Sequence, residues 1–240
     1  MTDRLGTVDY IHADGPTVRA GATAQEAQRA MVLVHGRGAT PSSILALVGD
    51  LPHGLGFTFV APGASESSAH PRSWYPNSFL APVEANEPGL TSALLRIEQS
   101  VEGLEEQGIP PNDIILLGFS QGACLVTEFA IRHARRWGGV VALTGGLVGD
   151  DVTQRGETGS FDGTPIFLGC SDRDPHVPLW RVEESERILS RMGAEVEKRI
   201  YPGMPHTVIR DELEWVEHAM RCLAGRRGHG KPRTDAHIGV

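Results

Sequence analysis

Apolar residues in this chain fall into short unbroken runs, separated by stretches with a longer, helix-like repeat. Ala30-Met31-Val32-Leu33-Val34 and Ile114-Ile115-Leu116-Leu117 leave no polar position to face water. Such runs predict strands covered on both faces, the setting of a parallel sheet. Phe57–Val60, Gly139–Leu143, Pro165–Gly169 and Glu195–Tyr201 read as further strands. Leu94, Leu95, Ile97, Val101 and Leu104 sit near helical spacing and predict an amphipathic helix over Thr91–Gln107. Ala123–Ile131, Leu179–Met192 and Thr207–Leu223 predict three more helices. Another opens at Thr40-Pro41 and runs to about Leu51, with the threonine as cap and the proline in the first turn. Near the start, Thr7–Ala20 alternates loosely around Asp14-Gly15, a hairpin turn pair, and predicts an edge hairpin. Strand and helix alternate throughout. The expected fold class is therefore α/β, a mainly parallel central sheet with helices on both faces.

Two stretches break the pattern. Residues 145–163 read as a polar loop. Residues 61–89 carry Pro62, Pro71, Pro76, Pro82 and Pro88 and show no clear period. A loop that long inside a compact domain is unusual unless it works. It also holds Trp74, Tyr75 and Phe79, so it reads either as a wall over a binding site or as a surface excursion pinned by aromatic anchors. The wall is favoured, because binding residues concentrate on such loops.

The chain has 240 residues and a net charge of −8, which suits one α/β domain and argues against a nucleic-acid partner. The last 16 residues carry Arg226, Arg227, Lys231 and Arg233 against Asp235, a net +3, which leaves −11 on the body. Residues 1–224 read as a single domain and 225–240 as a flexible basic tail. Cys124, Cys170 and Cys222 make an odd count without metal-like spacing, so neither a disulfide framework nor a metal site is expected. Reduced thiols, no visible signal peptide and no apolar run of membrane-spanning length predict a cytoplasmic protein without a membrane span.

The chemistry centres on Gly118-Phe119-Ser120-Gln121-Gly122, a G-x-S-x-G between a predicted strand and a predicted helix. A serine on so sharp a turn points its hydroxyl outward at the positive end of a helix, and the flanking glycines avoid a clash. A serine hydroxyl is a weak nucleophile at neutral pH, so it needs a base, an orienting carboxylate and donors for the developing oxyanion. In an α/β-hydrolase fold these arrive in the order serine, acid, histidine at strand ends. Ser120, then Asp172 or Asp174, then His206 supply that order. His206 is the best base among ten histidines, and its rival His176 precedes the last strand. Asp174, followed by Pro175, is favoured as the acid, while Asp172 could hold its loop by accepting backbone hydrogen bonds. One oxyanion amide is expected from Gln121. The other is expected from Arg37 in the loop His35-Gly36-Arg37-Gly38, whose guanidinium could also engage an acidic group on substrate. Cys124, one helical turn past the serine, reads as a packing residue.

Val34-His35-Gly36-Arg37-Gly38, the elbow, Asp172-Arg173-Asp174-Pro175-His176-Val177-Pro178 and Gly203-Met204-Pro205-His206 together resemble the phospholipase/carboxylesterase family, which includes the acyl-protein thioesterases. The likeness spans about residues 30 to 222. It implies a cofactor-free serine hydrolase acting on ester or thioester bonds. It also implies nucleophile Ser120, acid Asp174, base His206 and oxyanion amides at Arg37 and Gln121. Ser73-Trp74-Tyr75 looks like the family's Ser-Trp-aromatic segment beside the active site, so Trp74, Tyr75 and Phe79 are expected to bind substrate. Acyl-protein thioesterases usually have leucine where this chain has Arg37, and the segment Arg72–Pro76 looks more like the bacterial carboxylesterase branch. A small-molecule ester of short or medium acyl length is the expected substrate. A homodimer is a candidate assembly. A non-catalytic binding protein on the same scaffold, or a peptide or lactone hydrolase, are the alternatives.

Overall fold

A computed structural model describes residues 10–65, 72–153 and 155–226. Seven strands form one sheet: β1 (Thr17–Gly21), β2 (Arg29–Val34), β3 (Phe57–Pro62), β4 (Ile114–Phe119), β5 (Gly139–Leu143), β6 (Pro165–Ser171) and β7 (Glu195–Tyr201). Their order is β1-β3-β2-β4-β5-β6-β7, and every pair is parallel except β1 with β3. Among the described residues α1 (Pro41–Leu45), α2 (Gly89–Glu106), α3 (Gln121–Arg132) and α4 (Leu179–Arg191) connect strands, and α5 (Arg210–Arg226) follows the last one.

The unbroken apolar runs have a direct cause. Alternate residues of one strand enter different cores. Ala30, Val32 and Val34 of β2 join Ile114 and Leu116 of β4 in the core beneath α2, α3 and α4. Met31 and Leu33 join Ile115 and Leu117 in the core beneath α1 and α5. Both faces are therefore dry, and each fully buried aliphatic side chain contributes roughly 1.5–3 kcal/mol. Among the described residues no helix is long and apolar enough to cross a membrane.

Several expectations change. Asp14-Gly15 does form a turn, with Gly15 N–H donating to His12 O at 3.0 Å. The strand that follows, however, pairs with β3 rather than with a preceding arm. Residues 7–9 of the expected hairpin lie outside the described residues, as do residues 227–240 of the expected tail. Helix α1 keeps its Thr40 cap, with Thr40 Oγ1 accepting from Ser43 N, but it passes after Leu45 into a 3-10 turn over Ala46–Asp50. Residues 145–163 are not simply polar, since Leu147, Val148, Val152 and Phe161 are all buried. Buried charges hold that loop. Glu128 on α3 accepts from Arg155 through both carboxylate oxygens at 2.7 Å and from Val148 N at 3.2 Å. Arg181 on α4 donates to Leu147 O, Gly149 O and Asp150 O.

The strand order also sets where a site can form. β3 and β1 lie on one side of β2, while β4 through β7 build out on the other. Ligands of open α/β sheets bind outside the carboxyl ends of the strands at such a switch point. The His35–Gly38 loop and the serine elbow leave neighbouring strands there, with Val34 level with Gly118.

Candidate active site

The elbow is built by close backbone approach. A Cβ on Gly118 would lie 2.2 Å from Gly122 O, and one on Gly122 would lie 2.0 Å from Val34 O. Neither position accepts a side chain. Ser120 between them is held at φ 55° and ψ −120°, a conformation a non-glycine residue adopts only when its surroundings impose it. Its N–H is tied to Leu143 O on β5 at 3.0 Å, and α3 begins at the next residue. The hydroxyl therefore stands at a helix N-terminus, beside N–H groups that have no partner within the helix.

The loops after β6 and β7 deliver the other two groups. His206 Nε2 lies 2.8 Å from Ser120 Oγ, and its Nδ1 lies 2.7 Å from Asp174 Oδ2. The other oxygen of Asp174 accepts from His176 N at 2.8 Å and Val177 N at 2.9 Å. Burial pushes the Asp174 carboxyl up, but the hydrogen bonds from His206, His176 N and Val177 N outweigh it and hold the group below its ordinary range. Asp172 makes a different bond. It accepts from Gly203 N at 2.7 Å, joining its loop to the one that carries His206. His176 does not enter the chain of bonds and packs edge-on against the His206 ring at 4.9 Å.

These groups open onto a cavity of about 530 Å³ lined by Gly36, Arg37, Tyr75, Phe79, Phe119 and Val177, among others. Arg37 and Gln121, the expected oxyanion donors, both line it. The loop after β2 is braced from below. His35 is buried, donates from Nδ1 to Gly36 O at 2.8 Å and accepts at Nε2 from Ala64 N at 3.2 Å. Burial lowers its pKa, which keeps the ring neutral as that pair of bonds requires. Cys124 also reaches the cavity, but desolvation pushes its thiol up to about 12, so it holds no thiolate near neutral pH.

Of the three aromatics expected to bind substrate, Tyr75 and Phe79 line this cavity and Trp74 does not. Trp74 is fully buried behind it, with its indole N–H donating to His35 O at 2.9 Å and its ring against His12 and His35. The Arg37 guanidinium reaches the segment that follows Trp74. It donates to Tyr75 O, Pro76 O and Asn77 O. Sequence reasoning also passed over the Gln121 side chain, which accepts from Trp74 N at 3.0 Å and donates to Tyr75 O at 2.9 Å. No local signal marks that pairing, because its partners lie more than forty residues away.

A mainly parallel sheet with a serine elbow, an aspartate loop and a histidine loop at the carboxyl ends of β4, β6 and β7 defines an α/β-hydrolase. Comparison with known proteins narrows this. The phospholipase/carboxylesterase family model matches residues 16–223. Acyl-protein thioesterase 1 of Saccharomyces cerevisiae is 30% identical over 213 residues, covering 82% of this chain and 93% of that protein. The crystal structure of a phospholipase/carboxylesterase from Dyadobacter fermentans is 40% identical, with a TM-score of 0.81 over 90% of this chain and 100% of that one. The Bacillus cereus carboxylesterase shares the fold, with a TM-score of 0.70 at 16% identity over 91% of this chain and 100% of that chain. The chain belongs to the phospholipase/carboxylesterase family, and it is a serine hydrolase of the ester- and thioester-cleaving kind.

Proposed function

We propose that this enzyme cleaves small carboxylic esters of short to medium acyl length, with Ser120 as nucleophile, His206 as base and Asp174 as the orienting acid. The observation that carries the reading is the unbroken hydrogen-bonded chain from Ser120 Oγ through His206 to Asp174. Asp174, fixed by two backbone amides, orients the imidazole so that Nε2 faces the hydroxyl and stabilises the imidazolium once it forms. His206 takes the Ser120 proton as Oγ attacks the carbonyl carbon. The backbone N–H groups of Arg37 and Gln121 receive the oxyanion, and loss of one such donor removes about 3 kcal/mol of transition-state stabilisation. His206 then protonates the leaving alcohol, and water repeats the attack on the acyl-enzyme.

The cavity supports the choice of substrate. Tyr75, Phe79, Phe119 and Val177 give it an apolar wall for an acyl group. Its volume falls within the range of small-molecule sites. The three cysteines are free, which supports a reducing, cytoplasmic setting. A fluorophosphonate probe should label Ser120 in the wild type, and Ser120→Ala should lose both labelling and p-nitrophenyl ester turnover. Labelling of an intact Ser120→Ala protein at the wild-type rate would overturn the assignment. Pairing each oxygen ester with its thioester then separates the two bond types.

A further inference from the structure

Arg37 faces two ways. Its backbone belongs to the loop after β2 that lines the catalytic cavity, and its side chain leaves that loop to reach the segment 73–79. Nη1 donates to Pro76 O at 3.0 Å, while Nη2 donates to Tyr75 O at 3.0 Å and Asn77 O at 2.7 Å. Successive carbonyls of an extended chain point to opposite sides. Three in a row converge only where the chain curls around a donor, and the planar fork of a guanidinium supplies several donors at once.

The same segment is held from the other flank by the second expected oxyanion residue. Gln121 accepts from Trp74 N through Oε1 and donates to Tyr75 O through Nε2. Tyr75 O thus receives Arg37, Gln121 and the Ser73 hydroxyl, the last at 2.8 Å. Beyond Asn77 the anchors differ. Asn77 N donates to Asn86 Oδ1 and Gly149 N donates to Phe79 O. Pro76 O and Asn77 O are therefore the wall carbonyls that depend on Arg37, while Tyr75 O is held by Gln121 and Ser73 as well.

We propose that the Arg37 side chain is a positioning and specificity-determining residue. It latches the Tyr75–Phe79 wall onto the oxyanion loop, and so links the shape of the acyl pocket to the aim of the Arg37 amide. The proposal rests on the serine-hydrolase reading above and deepens it. Latched, the wall bounds the cavity and selects compact acyl groups. Released, it yields to longer chains, while short acyl groups lose their wall and the amide loses its fixed direction.

The test uses Arg37→Ala and Arg37→Leu in the full chain, assayed on p-nitrophenyl acetate, butyrate, octanoate and decanoate. Amide hydrogen exchange is followed over residues 73–79. The latch predicts that kcat on acetate falls by about tenfold or more with KM little changed, the signature of lost alignment rather than lost binding. The decanoate-to-acetate ratio of kcat/KM should rise, and the Trp74 and Asn77 amides should exchange faster. Methylguanidinium should restore part of the Arg37→Ala rate and none of the Arg37→Leu rate, because leucine fills the vacated space. An unchanged chain-length ratio together with unchanged exchange would overturn the latch. Wild-type protein that no fluorophosphonate labels would instead sink the hydrolase reading, and the exchange rates would still judge the latch.

Discussion

Glu212 gives the sharpest quantitative test of how this fold handles a charge. It occupies the third position of α5, directly after the loop that carries His206, and is fully buried. One oxygen accepts from Ile209 N at 3.0 Å, closing the first turn of the helix, and the other has no partner. The unpartnered oxygen lies where a Cβ on Gly169 would sit, 2.1 Å from that position, so β6 needs glycine to admit it. Burial pushes the carboxyl from its ordinary 4.5 up to about 7, the Ile209 amide draws it down, and nearby Asp211 pushes it up. Cys170 on β6 and Tyr201 on β7 are the other titratable groups that feel it.

The sign follows from proton binding. The folded protein holds this proton more tightly than the unfolded chain, so the carboxyl favours folding at low pH. Its contribution is fully present below 4.5 and is withdrawn as pH rises through about 7. The whole gap is worth roughly 3 kcal/mol, at about 1.4 kcal/mol per tenfold, and about 2.5 kcal/mol of it is lost between pH 5 and pH 8. Glu212→Gln keeps an acceptor for Ile209 N and cannot ionise. The stability difference between variant and wild type should therefore move by about 2.5 kcal/mol in favour of glutamine from pH 5 to pH 8, or roughly 5–10 °C in Tm for a domain of this size. Thermal melts or urea titrations of both proteins at intervals across that range measure it. Two curves that stay parallel throughout would refute the reasoning, whatever their absolute offset, because the offset also contains the fit of the new amide.

Gly122→Ala drives a methyl into Val34 O and His35 O, both backbone, so the elbow must shift away from β2. A loss of ~1–3 kcal/mol in stability and about a hundredfold in kcat is expected, checked by melting and by ester turnover. Asp174→Asn should lower kcat by about four orders of magnitude, because the amide stabilises the wrong imidazole tautomer. Asp172→Asn weakens a bond to Gly203 N and an exposed ion pair with Arg173, and should stay within roughly tenfold of wild type on the same substrates.

The residues that meet in the candidate site were readable because their signals are local. Ser120, Asp174 and His206 each sit a few residues past the end of a strand, and for β4 the run Ile114–Leu117 shows in its own composition that both faces are covered. What the sequence hid depends on partners far along the chain. Asp14-Gly15 reads as a hairpin signal, yet a Cβ on Gly15 would lie 2.0 Å from Gly63 O, so the glycine also serves close packing against the segment after β3. Residues 145–163 show no apolar period because Glu128, Arg155 and Arg181 pin their buried residues one at a time, without repeating spacing. Trp74 looks like a binding aromatic because nothing nearby reveals that His35 O claims its indole.

Arg37 and Gln121 extend the same point from fold to function. Each is expected to act through its N–H, a role that any residue but proline could fill, so the backbone alone leaves their side chains unconstrained. Both side chains are nevertheless spent on the carbonyls and amides of 74–77. The two loops that would bind an oxyanion thus also fix the wall that would meet the acyl group. Leucine in place of Arg37 would keep an N–H at that position but would release the wall and, on the proposed latch, the aim of that N–H. On the proposed latch, acyl-chain preference changes through the side chain that holds the pocket wall.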